Sequence, residues 1–230
     1  MKLNTNSNIY TFVYMTVVVI IVAVLLALAN QALKPLQEAN IQLDKQKQIL
    51  GALKLDFANG NPEQIYQELV MDTIRIANPK DAAKDSLEIY RFSIEGDIKY
   101  VLPLSGKGLW GGIGGYLALN ADKNTIYGVN FNHEGETPGL GAKIVEIEFR
   151  EKFENKKIFK DNQLVSVAVL KKGKTCAAGE EYQVDAISGA TITSAGVSTM
   201  LETNLAEYAA FLNDRPAEQV IVEPIKEEEE

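Results

Sequence analysis

The chain has one cysteine, one histidine and one tryptophan among 230 residues. Cys176, being alone, cannot close an internal disulfide and offers no cysteine cluster to a metal; it reads as a small, partly buried residue. His133 stands beside Glu134 and Glu136, but Asn132-His133-Glu134-Gly135-Glu136 lacks the second histidine of a HExxH pair, so it reads as polar structure and not as zinc. The glycine-rich run Gly106 to Tyr116 holds no Gly-Lys-Ser/Thr, which excludes a P-loop. The strand-like Tyr116-Leu117-Ala118-Leu119 follows that run where a dinucleotide fold needs a helix. An excess of positive charge is also missing. The net charge of −8 argues against nucleic acid, or an anionic lipid surface, as the main partner. Part of that charge is Glu227 to Glu230, which reads as a solvated, disordered end. No internal repeat is present.

Charge of either sign is absent between Lys2 and Lys34. Within that gap, Ile9 to Ala29 reads IYTFVYMTVVVIIVAVLLALA. About 20 apolar residues span a bilayer core, whereas the apolar part of a cleaved signal peptide is about 7–15 residues. The expectation is one uncleaved transmembrane helix over residues 9–29, with Tyr10 and Tyr14 near an interface. Cleavage after the small-x-small run Ala27-Leu28-Ala29 is the alternative. Orientation is not set by charge, because Lys34, Lys45 and Lys47 on the far flank are mixed with Glu38 and Asp44. Long domains translocate with little regard to charge, so the expectation is a cytoplasmic tail over residues 1–8 and a body outside the cytoplasmic membrane.

Roughly 200 residues follow, the usual size of one domain. Leu36 to Leu50 reads as an exit helix, broken by Asn59-Gly60-Asn61-Pro62. Pro62 to Ile76 reads as a second helix, with Ile65, Leu69, Ile74 and Ile76 partly in register. The residues between 30 and 86 thus form a helical exit and accessory segment. A strand-rich part follows: Ile89 to Ile94, Lys99 to Pro103, Tyr116 to Leu119, Tyr127 to Asn132 and Leu164 to Leu170. Gly, Asn and Asp bound these short runs, as in antiparallel pairing. A helical pattern then runs through Val197, Met200, Leu201, Leu205 and Leu212. Residues 214–230 read as an extended acidic tail, with Val220-Ile221-Val222 between Pro216 and Pro224.

Asp185-Ala186-Ile187-Ser188-Gly189-Ala190-Thr191-Ile192-Thr193-Ser194 packs hydroxyls and a glycine into a turn just before that helix. Such a turn presents free backbone N–H groups and the positive end of the helix dipole, a seat for phosphate. A Ser/Thr N-cap explains the same residues without a ligand. The Leu109-Trp110 loop and the Glu136-Thr137-Pro138-Gly139-Leu140-Gly141 loop are two further tight turns, and either could be a plain connection.

Asp185-x-x-Ser188-Gly189-Ala190-Thr191 resembles the flavinylation motif of membrane flavoproteins that carry covalently bound FMN. The resemblance implies a phosphoester between the FMN phosphate and Thr191, made by a dedicated flavin transferase. Asp185, Ser188, Gly189 and Ala190 would be the recognition motif, and Thr193 the nearest competing hydroxyl. Glu136 to Gly141 is similar to the loop that faces the isoalloxazine ring in the same family, and so is the Leu109-Trp110 loop with its following strand. Leu109, Trp110, Glu136, Thr137, Gly139 and Leu140 are therefore the expected ring-site residues. Leu140 and Trp110 would shield a ring face, and free backbone N–H groups would meet its polar edge.

Together these resemblances cover the anchor and most of residues 87–213, the expected FMN-binding domain. They are similar to the C subunits of Na+-translocating NADH:quinone oxidoreductases. The G subunits of the related Rnf complexes share the layout. A membrane-anchored structural or assembly protein with a vestigial flavin domain is the rival from another class, and the intact Thr191 motif argues against it. The implied fold is α+β: a single N-terminal transmembrane helix, then a mixed, largely antiparallel FMN-binding domain with flanking helices. The implied role is an electron relay, in a bacterial inner membrane with the domain on the periplasmic side, between an iron–sulfur centre and the FMN of a membrane subunit. No catalytic residue, metal, NADH site or quinone site is expected in the chain itself. The implied partners are the other membrane subunits and the transferase.

Overall fold

The computed structural model describes residues 7–56, 60–79 and 86–214. The chain divides into two units, Met1–Lys45 and Gln46–Glu230. The expected segment Val220–Val222 and residues 215–230 of the acidic tail lie outside the described residues, as do residues 1–6 of the N-terminal tail.

Helix α1 spans Asn8–Ala52 and contains Pro35. The expected anchor and exit helices are one element. Proline removes a single N–H donor from a helix interior, and here the helix continues through it. The apolar part has a mean hydropathy of 3.0, and none of that stretch is buried within the protein. Ile9 to Ala29 at about 1.5 Å per residue covers the roughly 30 Å of a bilayer core.

The helix ends before the expected Asn59–Pro62 break. Leu55 N–H donates to Leu50 C=O at 3.0 Å and Lys54 N–H to Gly51 C=O at 3.2 Å. This is a Schellman ending, with Lys54 at φ +58° where glycine is usual. A lysine there costs about 1–2 kcal/mol of backbone strain. Its ammonium offsets part of that by pairing with Glu154 at 3.2 Å and lying 4.3 Å from the centre of the Tyr127 ring.

Helix α2 is short, Pro62–Leu69, with the Asn61 side chain accepting from Glu63 N–H and Pro62 opening the first turn. The expected helix to Ile76 does not form. Val70–Ala77 is strand β1, paired antiparallel with β2, Ser86–Ile94, so that Ile74 faces Ile89. The β-branched Ile74 and Ile76 alternate with Thr73 and Arg75, and cross-strand pairing settles that period of two. Strands β3 (Asp97–Lys107), β4 (Gly112–Asn120) and β5 (Ile126–His133) complete an antiparallel sheet in the order β1-β2-β3-β4-β5.

Neighbouring residues on each strand point to opposite faces, and both faces are covered. The short helix α3 is Ile147–Arg150. Ile89, Leu102, Leu104 and Leu117 face helix α4, Thr191–Glu207, through its Val197, Met200, Leu201 and Leu205. Tyr90, Phe92, Val101 and Ala118 face Ile49, Ala52 and Leu53. Double coverage explains why strands such as Tyr116–Leu119 read as continuous apolar runs. The expected strand Leu164–Leu170 is interrupted. Gln163–Leu164 pairs with Phe159–Lys160, Ser166 sits at φ +61°, and Ala168–Leu170 runs parallel to Gln183–Asp185.

Helix α4 is fixed along the sheet by a two-way bond. Asn204, 6% exposed, accepts from Ser105 N–H at 3.0 Å and donates to Ser105 C=O at 2.8 Å. Gly196 brings the start of the helix close: a Cβ there would stand 2.4 Å from the Lys107 carbonyl oxygen. The first turn of α4 therefore lies at the β3–β4 end of the sheet.

Candidate functional site

Three turns meet at that end. The β3–β4 hairpin turns at residues 108–111, closed by Gly108 N–H on Gly111 C=O at 2.9 Å. The loop after β5 folds on Thr137, whose carbonyl accepts from Leu140 and Ala142 N–H, both at 3.1 Å. The third turn, Ile187 to Ala190, is closed by Ala190 N–H on Ile187 C=O at 3.1 Å. Gly189 occupies its third position at φ +79°, the conformation a type II turn requires there.

Helix α4 begins at Thr191 with Ala190 in the cap position, and no side chain caps it. The Ser/Thr cap that would have explained the hydroxyl-rich turn is absent. Ser194 Oγ accepts instead from Ile187 N–H at 3.1 Å. Thr191 and Ile192 are exposed, whereas Thr193 is 1% exposed.

Glu136 joins the turns. It is 4% exposed, and its Oε1 accepts from Leu109 N–H at 2.7 Å and Trp110 N–H at 2.9 Å. Its Oε2 accepts from the Thr193 hydroxyl at 2.5 Å. Its own N–H donates to His133 Nδ1 at 3.3 Å. Burial alone would push this carboxyl up. The Thr193 hydroxyl, the two backbone N–H groups and His133 outweigh it and hold the carboxyl below its ordinary 4.5. Two glycines make the room: a Cβ on Gly108 would stand 2.3 Å from Glu136 Oε1, and one on Gly141 2.2 Å from Oε2. Glu134 adds a second grip on the hairpin, accepting from Gly112 N–H at 3.0 Å.

A pocket of about 210 Å³ lies among these turns. Leu109, Leu140 and Ile192 line it and are 46%, 42% and 59% exposed, an apolar rim around Thr191 and Thr137. Glu136, Gly189, Ala190 and Thr193 also line it. Other expected residues lie apart from the lining. Trp110 is held through its backbone and is 69% exposed. Asp185 ends the strand before the turn, and Ser188 and Gly139 lie on their turns, outside the pocket wall. Free backbone N–H groups are expected in these turns; those of Leu109 and Trp110 are taken by Glu136. Sequence reasoning missed Ile192, which stands between two threonines, and the clearance at Gly108 and Gly141. A larger hollow of about 480 Å³ around Lys54, Asn130 and Arg150 contains none of the expected residues.

An exposed hydroxyl thus stands at an uncapped helix start, among apolar side chains and glycine turns, an arrangement with the donors and the dipole to accept a phosphate. The model of the FMN-binding domain family matches residues 108–206, which contain all three turns. The C subunit of the Na(+)-translocating NADH-quinone reductase from Haemophilus ducreyi is 32% identical over 85% of this chain and 89% of its own length. The C subunit from Neisseria meningitidis serogroup B is 32% identical over 92% and 96%. The crystal structure of the C subunit from Parabacteroides distasonis superposes with a TM-score of 0.74 at 37% identity, covering 80% of this chain and 98% of that one. The chain belongs to the family of C subunits of Na(+)-translocating NADH-quinone reductases.

Proposed function

We propose that this chain is the membrane-anchored, flavin-carrying subunit of a Na+-translocating NADH:quinone oxidoreductase, and that Thr191 holds FMN through a phosphoester. The contrast between Thr191 and Thr193 carries the second part. Thr191 is open at the helix start, while Thr193 is buried with its hydroxyl on Glu136. The uncapped first turn of α4 offers N–H donors and the positive end of the helix dipole to the phosphate. Gly189 lets the backbone pass close to a bulky ester. Leu109, Leu140 and Ile192 give a flat ring an apolar seat. When bound, FMN supplies reversible electron transfer.

A flavin transferase would make the bond from a flavin dinucleotide, with Asp185 to Thr191 as the segment it reads: the Thr191 hydroxyl would lose its proton as its oxygen joins the flavin-bearing phosphorus, and the P–O–P bond would break to release the nucleoside monophosphate. The domain stands on the outer side of the cytoplasmic membrane and passes electrons among the other subunits. The relatives described above are named as C subunits of the reductase, which favours this reading over the Rnf G subunit. Intact-mass analysis with peptide mapping, on protein made with a flavin transferase present, tests the attachment. An adduct on Thr191, absent from Thr191→Ala, is the expected result. An adduct elsewhere, or none, overturns it.

A further inference from the structure

Burying a carboxylate costs several kcal/mol unless donors replace the lost water. Glu136 is buried where the protein supplies those donors from two distant segments, the 108–111 turn and the first turn of α4. Both Gly108 and Gly141 lack the side chain that would collide with it. Glu136 also lines the pocket beside Thr191. An apolar residue here would leave the Leu109 and Trp110 N–H groups and the buried Thr193 hydroxyl without their acceptor.

We propose that Glu136 is the positioning residue of the site: its carboxylate clamps the hairpin turn and the helix start onto the 136–141 loop, and keeps one negative charge in the pocket wall. The inference rests on the reading of Thr191 as the flavin acceptor and extends it. The clamp sets the distance between the apolar rim at Leu109 and Leu140 and the acceptor hydroxyl. The charge opposes electron gain by whatever occupies the pocket, so it lowers that ligand's reduction potential.

The full-length chain in detergent, made with and without a flavin transferase, separates the two roles. In the unflavinylated chain, Glu136→Ala should speed amide exchange at Leu109 and Trp110 about tenfold or more, the effect of losing a hydrogen bond to a charged group. Glu136→Gln keeps the shape and an acceptor oxygen, so protection and flavin loading should stay within about threefold of wild type. Its loaded form should titrate at a higher potential. Wild-type exchange in Glu136→Ala overturns the clamp, and a wild-type potential in Glu136→Gln overturns the role of the charge. If Glu136→Ala does not fold, Thr193→Val decides, because it removes only the hydroxyl. Reduced flavin loading per chain supports the clamp, and unchanged loading overturns it. A wild-type chain that takes no flavin overturns the Thr191 reading, while the exchange measurements still decide the clamp.

Discussion

Thr191 and Thr193 stand two residues apart on the first turn of one helix and have opposite surroundings. Thr191 is exposed at the pocket, while Thr193 is 1% exposed with its hydroxyl 2.5 Å from Glu136 Oε2. Only the first is open to approach from outside the protein.

That contrast separates two single substitutions. Thr191→Ala should abolish in-gel flavin fluorescence while changing the stability of the unmodified chain by no more than about 0.5 kcal/mol, as surface changes do. Thr193→Val should leave any adduct it forms on residue 191 but destabilise the fold by about 1.5–3 kcal/mol, the range for a hydrogen bond to a charged group. Thermal unfolding of the flavin-free proteins, read beside peptide maps of the loaded ones, checks both. Equal unfolding temperatures for wild type and Thr193→Val would remove Thr193 from the brace.

The glycines around Glu136 differ sharply in what they tolerate. Gly141→Ala and Gly108→Ala place a methyl 2.2 and 2.3 Å from the buried carboxylate oxygens and should each cost about 1–3 kcal/mol or more. Gly135→Ala is the control, because nothing lies within 4 Å of its Cβ position. Its change should stay within about 0.5 kcal/mol in denaturant titrations.

Glu136 also fixes the direction of an acid effect. Its folded carboxyl lies below its ordinary 4.5, so its contribution to stability is fully present above 4.5 and is lost as pH falls through the lower, folded value. Wild type should therefore exceed Glu136→Gln in unfolding temperature by a constant margin from neutral pH down to about 5, and the margin should close in more acid solution. A margin that widened on acidification would reverse the assigned sign.

The side of the membrane has its own test. An epitope tag placed after Glu230 should be digested when protease is added to spheroplasts, with a cytoplasmic marker left intact. The purified chain should keep the sequence from Ile9 onward. A tag that survives until the membrane is opened would put the domain inside, and a mature end near Asn30 would remove the anchor.

The uncharged span and the turn before the helix at Thr191 were readable because each is a local pattern. The strands were readable where polar turns bounded apolar runs. Val70–Ala77 was not, since Ile74 and Ile76 fit a helical register and a period of two equally well until β2 pairs with them. The break at Ser166 depends on a positive φ, which serine does not advertise. Anchor and exit helix read as two because Asn30 to Pro35 separates their apolar patterns, and one continuous helix bridges that gap. Glu136 read as part of a ring-facing loop because its hydrogen-bond partners lie 27, 26 and 57 residues away, where no local window reaches.

Those separations bear on the order of events in the life of the chain. The hairpin and the 136–141 loop exist as soon as the sheet has formed, but the helix that brings Thr191 and Thr193 comes from a stretch synthesised later. Contacts of that span close late, after the entropy of the intervening chain has been overcome. An enzyme that recognises the assembled pocket, and not the peptide alone, would therefore load only molecules whose α4 has docked. Under that condition the presence of cofactor on a chain certifies that the chain has finished folding.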